Sequence, residues 1–250
     1  MKMKYITAMF IILIATAVTT AGFVKTKSNG LVTPVKGFAV VELFTSEGCS
    51  SCPAADETVA RLLSKKIDNV FILSYHVDYW NRLGWKDPFS AAAYSERQSQ
   101  YSSQFNNSSV YTPQVVVNGT VEFVGSDEEK LRSTVEGDLK KQPVEQLTIS
   151  TSREDNRISV IYDTHNNNEV FLNIALVQAQ ASTSVKRGEN GGRTLHHVNI
   201  VRALKTINAN GKGTVEMQLP AELAGIPLEV IGYTQNKNNL EILAANQTSF

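Results

Sequence analysis

The sequence predicts an α/β domain, with a mixed sheet and flanking helices, followed by a small antiparallel β-sandwich domain. Up to Pro143, segments patterned as buried strands and amphipathic helices alternate, and strand–helix–strand units of this kind pair their strands in parallel. Beyond Pro143 the segments become short and alternate polar with apolar residues, separated by turn signals such as Asn210–Gly211, which is typical of a sandwich. The chain therefore divides into domains over residues 38–142 and 143–250.

The first domain is predicted to begin with a buried strand and a helix. Phe38–Thr45 is a nearly continuous apolar run, which indicates a strand covered on both faces. In the helix predicted over Pro53–Lys66, Ala55 and Val59 share one face, and Pro53 suits the first turn. The remaining elements are strands over Val70–Tyr75, Gln114–Val117 and Thr120–Val124, a helix over about Ala91–Phe105, and a helix opened by a capping box at Ser126–Glu129 and continuing through Leu139.

Asn118–Gly119 is a strong signal for a two-residue hairpin turn between the last two strands of this domain. In the second domain we predict strands at 147–151, 158–162, 169–177, 215–219, 228–233 and 240–244.

The N-terminus has the composition of an export signal. Lys2 and Lys4 precede the apolar stretch Ala8–Val18, and Ala21 is among the small residues that suit cleavage. We predict a cleaved signal peptide over residues 1–22 and a linker over residues 23–37. The alternative is a retained N-terminal membrane anchor, because no charge falls between Lys4 and Lys25. Either way the protein is expected to be exported, to the periplasm or the extracellular space.

The overall charge argues against nucleic-acid binding. Lys and Arg together number 24, as do Asp and Glu, so no net field attracts a polyanion or an anionic membrane surface. The balance leaves protein and small-molecule partners open, and any membrane contact is expected only through an uncleaved N-terminal segment.

The two cysteines of the chain, Cys49 and Cys52, form a Cys-x-x-Cys motif between a predicted strand and helix. A bridge between them closes a very small loop and constrains the unfolded chain little, so a redox or metal role is more plausible than a structural staple. A helix N-terminus lowers a thiol pKa from about 8.5 to between ~3.5 and ~7.5. Cys49 is therefore the expected attacking sulfur and Cys52 the resolving one.

Thr112–Pro113 precedes a predicted strand of the same domain. A proline cannot donate to a sheet, so it belongs at the first residue of a strand or at an edge. One interpretation is an ordinary loop proline. The other is a cis-proline that faces the cysteines and presents backbone to a bound substrate.

Four segments carry a resemblance to a known family: Val41–Pro53, His76–Ser90, Val110–Gly119 and Arg187–Arg202. With Cys49, Cys52 and Pro113 in place, the chain resembles thioredoxin-like proteins, and more closely the secreted family catalogued as domain of unknown function 1223. The resemblance implies a thioredoxin-like first domain with a cis-proline beside the cysteines. It implies no reaction, since that family has none assigned, and no organic cofactor.

Glu42 interrupts the apolar strand Phe38–Thr45. A buried carboxylate is costly unless it is paired or protonated, and a raised pKa at such a site often marks a functional group. We therefore list Glu42 as a candidate proton relay to Cys52. The alternative is that it faces a Lys or a strand edge.

The loop after the second strand supplies the candidate substrate rim: His76, Asp78, Trp80 and Trp85, together with Thr112. The alternative is that the tryptophans fill a small core and that Asp87–Pro88 caps the next helix. Cys49, Cys52 and His76 could also form a soft site for copper(I) or zinc, although a closed site normally needs a further ligand, and no metal site is assigned.

The Gly- and Arg-rich stretch Lys186–Arg202 is long for a sandwich turn, and long ordered loops are often functional. We predict that it packs against the first domain; the alternative is a solvated loop. His196 and His197 would face opposite ways on a strand, which weakens a two-histidine metal site.

These observations favour thiol–disulfide exchange with exported protein thiols or small thiols, and with a separate redox partner protein. Cys49 attacks, Cys52 resolves the mixed disulfide, and Pro113 with the loop around Trp80 positions the substrate. The alternatives are a non-enzymatic copper or zinc chaperone or sensor that uses the same cysteines, and a binding module with vestigial cysteines.

Overall fold

The computed structural model describes residues 37–143, 145–165 and 169–249. The strands are β1 (Ala39–Thr45), β2 (Val70–His76), β3 (Gln114–Val117), β4 (Val121–Val124), β5 (Thr148–Glu154), β6 (Arg157–Asp163), β7 (Val170–Ser184), β8 (Thr194–Ala209), β9 (Lys212–Gln218), β10 (Leu228–Gln235) and β11 (Ile242–Ser249). The α-helices are α1 (Cys52–Ser64), α2 (Ala92–Gln104) and α3 (Glu128–Asp138). Short 3-10 helices lie at Asn81–Leu83 and Ala221–Leu223.

The first half of this mixed α/β fold follows the predicted order of elements. The predicted hairpin turn is present: Asn118 and Gly119 both have positive φ angles, of 47° and 67°, as a tight turn between twisted strands requires. The N-terminus of α3 differs from the predicted capping box, because the side chain of Asp127, not Ser126, caps the helix by accepting from the Lys130 N–H at 2.9 Å.

An eight-stranded mixed sheet runs through both halves of the described chain, in the order β11-β10-β7-β8-β2-β1-β3-β4. β1 pairs in parallel with β2 and antiparallel with β3. β8 joins the edge of β2 in parallel, with Ser74 opposite Ile200. The sheet therefore crosses residue 143, and the described residues belong to one compact unit.

A second sheet, of three antiparallel strands in the order β5-β6-β9, covers part of the large sheet. Ile158 and Val160 of β6 share a buried core with Leu172 and Ile174 of β7. This two-layer packing gives the second half its apolar interior, since alternating residues of each strand face the opposite sheet.

β8 was not predicted as a strand. Residues 194–202 fall in the stretch expected to be a loop, but only residues 185–193 connect β7 to β8 without strand structure. Within β8 the alternation is clear, since Leu195 and His197 are buried whereas His196 is exposed. The Gly-rich residues before this segment led to its interpretation as part of a long loop.

The two faces of β1 have separate cores. Val41 and Leu43 pack with α1 residues such as Val59, whereas Val40 and Phe44 belong to a core on the other face.

The predicted signal peptide, and the linker apart from Gly37, lie outside the described residues. Within the ranges given above, no helix is long and apolar enough to cross a membrane.

Candidate redox site

The Cys-x-x-Cys motif lies where β1 leads into α1, and Cys49 and Cys52 form a disulfide. Cys52 is the first residue of α1, and Ser51 is its N-cap but makes no side-chain capping bond. The Ser51 hydroxyl instead lies 3.3 Å from Cys49 Sγ. Both cysteines are fully buried, whereas Ser50 is exposed. In the disulfide form, exposure therefore does not distinguish an outer from an inner sulfur.

Thr112 and Pro113 lie beside the disulfide, as predicted. Their peptide bond is cis, and the Thr112 carbonyl oxygen lies 3.8 Å from Cys49 Sγ. The Pro113 carbonyl accepts from the Gly125 N–H at 2.9 Å, and Gln98 of α2 donates to the Tyr111 carbonyl at 2.7 Å. The loop before β3 is thus held from two sides at the position where it meets Cys49.

The 185–193 loop of the second half packs against the Cys motif, which confirms the prediction for this region. The Glu189 carboxylate accepts from the Ser50 N–H at 2.9 Å. Interaction with the Ser50 side chain, and then with this N–H, lowers the pKa of Glu189. The buried Asn190 side chain donates to the carbonyls of Glu47 and Cys49, each at 2.9 Å. The second half therefore fixes the backbone that carries the first cysteine.

Glu42 does not have the predicted proton-relay geometry. It is fully buried, but it lies with Val40 and Phe44 on the face of β1 opposite α1. Its Oε1 accepts from Arg97 Nε at 2.6 Å, and its Oε2 accepts from the Tyr101 hydroxyl. This ion pair compensates the buried charge and removes the role proposed for Glu42 toward Cys52.

His76 and Asp78 do not form a substrate rim. His76 is fully buried, and its Nδ1 lies 2.7 Å from Asp87 Oδ2. Asp78 is tied to α2, because its N–H donates to the Ser95 hydroxyl at 3.0 Å and its Oδ1 accepts from the same hydroxyl. His76 is therefore closed off from solvent, and the partly buried Asp78 ties the loop after β2 to α2.

Asp87 was expected only as part of a helix cap, but its carboxylate is buried and accepts hydrogen bonds from several neighbouring groups. Its Oδ2 accepts from the Glu47 N–H at 2.8 Å and its Oδ1 from the Phe89 N–H at 2.9 Å. Burial alone raises the pKa of Asp87, but the charge and hydrogen bond of His76 and these two N–H groups outweigh it, so the pKa lies below its ordinary value.

The two tryptophans lie at the Cys motif, half-buried, and each donates its indole N–H to a neighbour. Trp80 donates to the Thr112 hydroxyl at 2.8 Å, and its Cβ crowds Gly48, where an added Cβ would come within 2.9 Å. Trp85 donates to Glu47 Oε2 at 2.7 Å. Trp80 thus bridges the two loops that meet at Cys49.

The sequence interpretation missed a buried set of charges behind the motif: Glu47, Asp56 and His197. Glu47 Oε1 lies 3.2 Å from His197 Nε2, and Asp56 Oδ2 lies 3.4 Å from His197 Nδ1. Burial alone lowers the pKa of His197, but the two carboxylates raise it to about 9, so the imidazole is protonated at neutral pH. The helical spacing of Asp56 from Cys52 was the available signal.

The set of Cys49, Cys52 and His76 considered for copper or zinc is not arranged as a metal site, since the sulfurs are bonded to each other and His76 faces Asp87. In the part of the chain that the structure describes, no group of three or more His, Cys, Asp or Glu side chains could hold a metal ion.

Comparison with known proteins gives a family and a fold. A family model described as a protein of unknown function, DUF1223, matches residues 40–230. The chain is similar to a crystal structure of a protein from Agrobacterium tumefaciens, with 28% identity and a TM-score of 0.65 over 86% of this chain and 94% of that one. HBP35 of Porphyromonas gingivalis is similar in fold, with 17% identity and a TM-score of 0.56 over 86% and 76% of the two chains. No curated protein matches the chain.

Proposed function

This chain belongs to DUF1223, a family of proteins of unknown function, and we propose that it is an exported thiol–disulfide exchange protein that acts through Cys49 and Cys52. The observation that carries the proposal is the Cys-x-x-Cys disulfide at the N-terminus of α1 together with the Thr112 carbonyl oxygen, which lies 3.8 Å from Cys49 Sγ.

The topology supports a thioredoxin-like assignment for the first half. β1, α1, β2, α2, β3, β4 and α3 follow one another along the chain, and their strands lie in the order β2-β1-β3-β4. This is the arrangement that the resemblance implies, with the cysteines at the carboxyl end of β1. The redox chemistry is argued from the site, since a fold by itself does not fix an activity.

The reaction begins with the reduced pair. The Cys49 thiolate, favoured by the N-terminus of α1 and by the Ser51 hydroxyl at 3.3 Å in the oxidised form, attacks a substrate disulfide and expels one substrate thiolate. Cys52 then attacks Cys49 Sγ, which releases the second substrate thiolate and forms the Cys49–Cys52 bond. The reverse sequence oxidises a substrate dithiol.

The substrate is proposed to dock where Thr112 and Trp80 meet the Cys motif. Cys49 is buried in the disulfide form, so an incoming sulfur must displace neighbouring groups, and Trp80 and the Glu189 carboxylate lie beside the motif. Exported protein thiols or disulfides and small thiols are the proposed substrates, with a separate protein as redox partner.

Trapping of mixed disulfides tests this function. Cys52→Ser protein, expressed with its N-terminal segment, keeps the attacking sulfur and loses the resolving one, so it should accumulate adducts with exported proteins that disappear on reduction. Cys49→Ser protein is the matched control and should form few. Equal trapping by both variants contradicts the assigned roles, and trapping by neither contradicts exchange with protein substrates.

A further inference from the structure

Two loops meet beside the Cys motif. One is the loop after β2, residues 77–91, and the other is the 185–193 loop between β7 and β8. Their backbones are in contact, because a Cβ added at Gly188 would lie 3.4 Å from the Cβ of Trp85. Each loop also contacts the motif itself, through the tryptophan and asparagine contacts described above. The two loops therefore form one continuous surface next to Cys49.

The exposed charges of this surface are mainly positive. Both loops are described throughout, and Glu189 is their only exposed carboxylate, since Asp78 is partly buried and Asp87 is buried. Five exposed side chains of the same two loops carry a positive charge, and we call them the basic face: Arg82, Lys86, Lys186, Arg187 and Arg193.

The cations of the basic face have no electrostatic partner within the fold. None of them forms an ion pair with a residue in the described part of the chain. The whole chain has 24 residues of each sign, so the excess of positive charge is local to these loops. Like charges that lie close together repel one another and lower stability. The basic face therefore suits a negatively charged partner better than it suits the fold.

Glu189 is the opposing charge on this surface. Its carboxylate accepts from the Ser50 N–H at 2.9 Å, between the two cysteines in sequence. An acidic group that approaches the motif is repelled by this carboxylate and attracted by the five cations, so attraction dominates.

We propose that the basic face recognises the substrate, and that this substrate is a protein or peptide segment with Asp or Glu beside its reacting cysteine. The inference rests on the thiol–disulfide exchange proposed above and names the class of substrate. Complementary charge raises association rates by ~10–10³-fold at low ionic strength. It brings the substrate sulfur to Cys49 without a deep pocket, and Glu189 moderates the attraction.

Two short peptides test the proposal. Each has one internal disulfide, and they differ only in the residues that flank the cysteines, which are glutamate in one and glutamine in the other. The reduced protein gives two electrons to the peptide, so the Cys49–Cys52 bond forms as the peptide disulfide opens to two thiols. Trp80 and Trp85, the two tryptophans of the chain, lie at the motif, and their fluorescence follows the reaction. Reduction by dithiothreitol gives the intrinsic reactivity of each peptide, by which the protein rate is divided.

The readout is the ratio of the corrected rate for the glutamate peptide to that for the glutamine peptide. In low salt the wild-type ratio should be ~10 or more. The preference should disappear in ~1 M salt, where the Debye length is ~3 Å. The Lys86→Gln, Arg187→Gln double variant should lower the ratio, because it removes two exposed cations. Glu189→Gln should raise it, because it removes the opposing charge.

Lys65→Gln is the matched control. Lys65 is exposed, but it follows the last residue of α1 whereas Cys52 is the first, so ~20 Å of helix separates the two. Its ratio should equal that of wild type. A decrease as large as that in the double variant would mean that overall charge, and not the basic face, selects the substrate.

The outcomes separate this inference from the function beneath it. A wild-type ratio that does not favour the glutamate peptide, or that salt leaves unchanged, overturns the acidic substrate class while exchange by Cys49 and Cys52 stands. A ratio that the double variant leaves unchanged overturns the assignment to the basic face. If the reduced wild-type protein opens neither peptide, exchange with peptide substrates is itself contradicted.

Discussion

Raising the pH is expected to remove a stabilising contribution that His197 makes to the folded, disulfide-bonded protein. The carboxylates of Glu47 and Asp56 raise the pKa of His197 from an ordinary 6.5 to about 9. Between these two pH values the folded state holds a proton that the unfolded state has lost. The stabilisation is therefore fully present below pH 6.5 and is lost as the pH rises through about 9.

The size of the effect follows from the two pKa values. Each unit of difference between the folded and unfolded states corresponds to ~1.4 kcal/mol, so the protonation of His197 contributes ~3 kcal/mol to the free energy of unfolding. Urea denaturation at a series of pH values from 6 to 10 measures the fall. The cysteines do not titrate while they are bonded to each other, so they do not contribute to the pH dependence of stability in this range.

The His197→Gln variant is the control, because it lacks the titrating group and retains hydrogen-bonding capacity. Its free energy of unfolding should be lower than that of wild type at pH 6, and the two should approach each other above pH 9. A wild-type profile that is flat over this range, or a fall of equal size in the variant, would refute the assignment of the buried proton to His197.

Two further substitutions test how the site is held. Glu42→Gln leaves Arg97 without its buried counter-charge, so it should lower the free energy of unfolding, measured in urea, by ~3–5 kcal/mol. The folded variant should keep the wild-type rate of disulfide reduction, because Glu42 lies on the face of β1 opposite α1. Asn190→Ala removes the donor to two buried carbonyls, including that of Cys49, and should lower the free energy of unfolding by ~1–3 kcal/mol. It should also speed reduction of the disulfide by dithiothreitol. An unchanged rate of reduction would mean that the 185–193 loop does not restrain the Cys motif.

The elements of the first half were predictable from the sequence because local patterns specify them. The Asn118–Gly119 turn, the proline in the first turn of α1 and the apolar run of β1 each have a direct conformational preference. The position of Pro113 beside Cys49 was given by a resemblance rather than by a local preference, and the structure confirms it.

The buried charges could not be assigned in the same way, because they depend on contacts between distant parts of the chain. Alternation places Glu42 on the same face as Val40 and Phe44, but it does not say which face α1 covers. His197 becomes a partner of Glu47 only because β8 pairs with β2, and a pairing so remote in sequence leaves no local pattern.

The reduction potential of the Cys49–Cys52 pair tests the redox function most directly. It is measured by equilibrating the metal-free protein with defined ratios of reduced and oxidised dithiothreitol or glutathione and quantifying the free thiols. Exchange predicts a reversible two-electron couple within the range of known exchange proteins, about −270 to −120 mV. A couple well below about −300 mV, as in disulfides that only stabilise a fold, or no reversible couple, would contradict it.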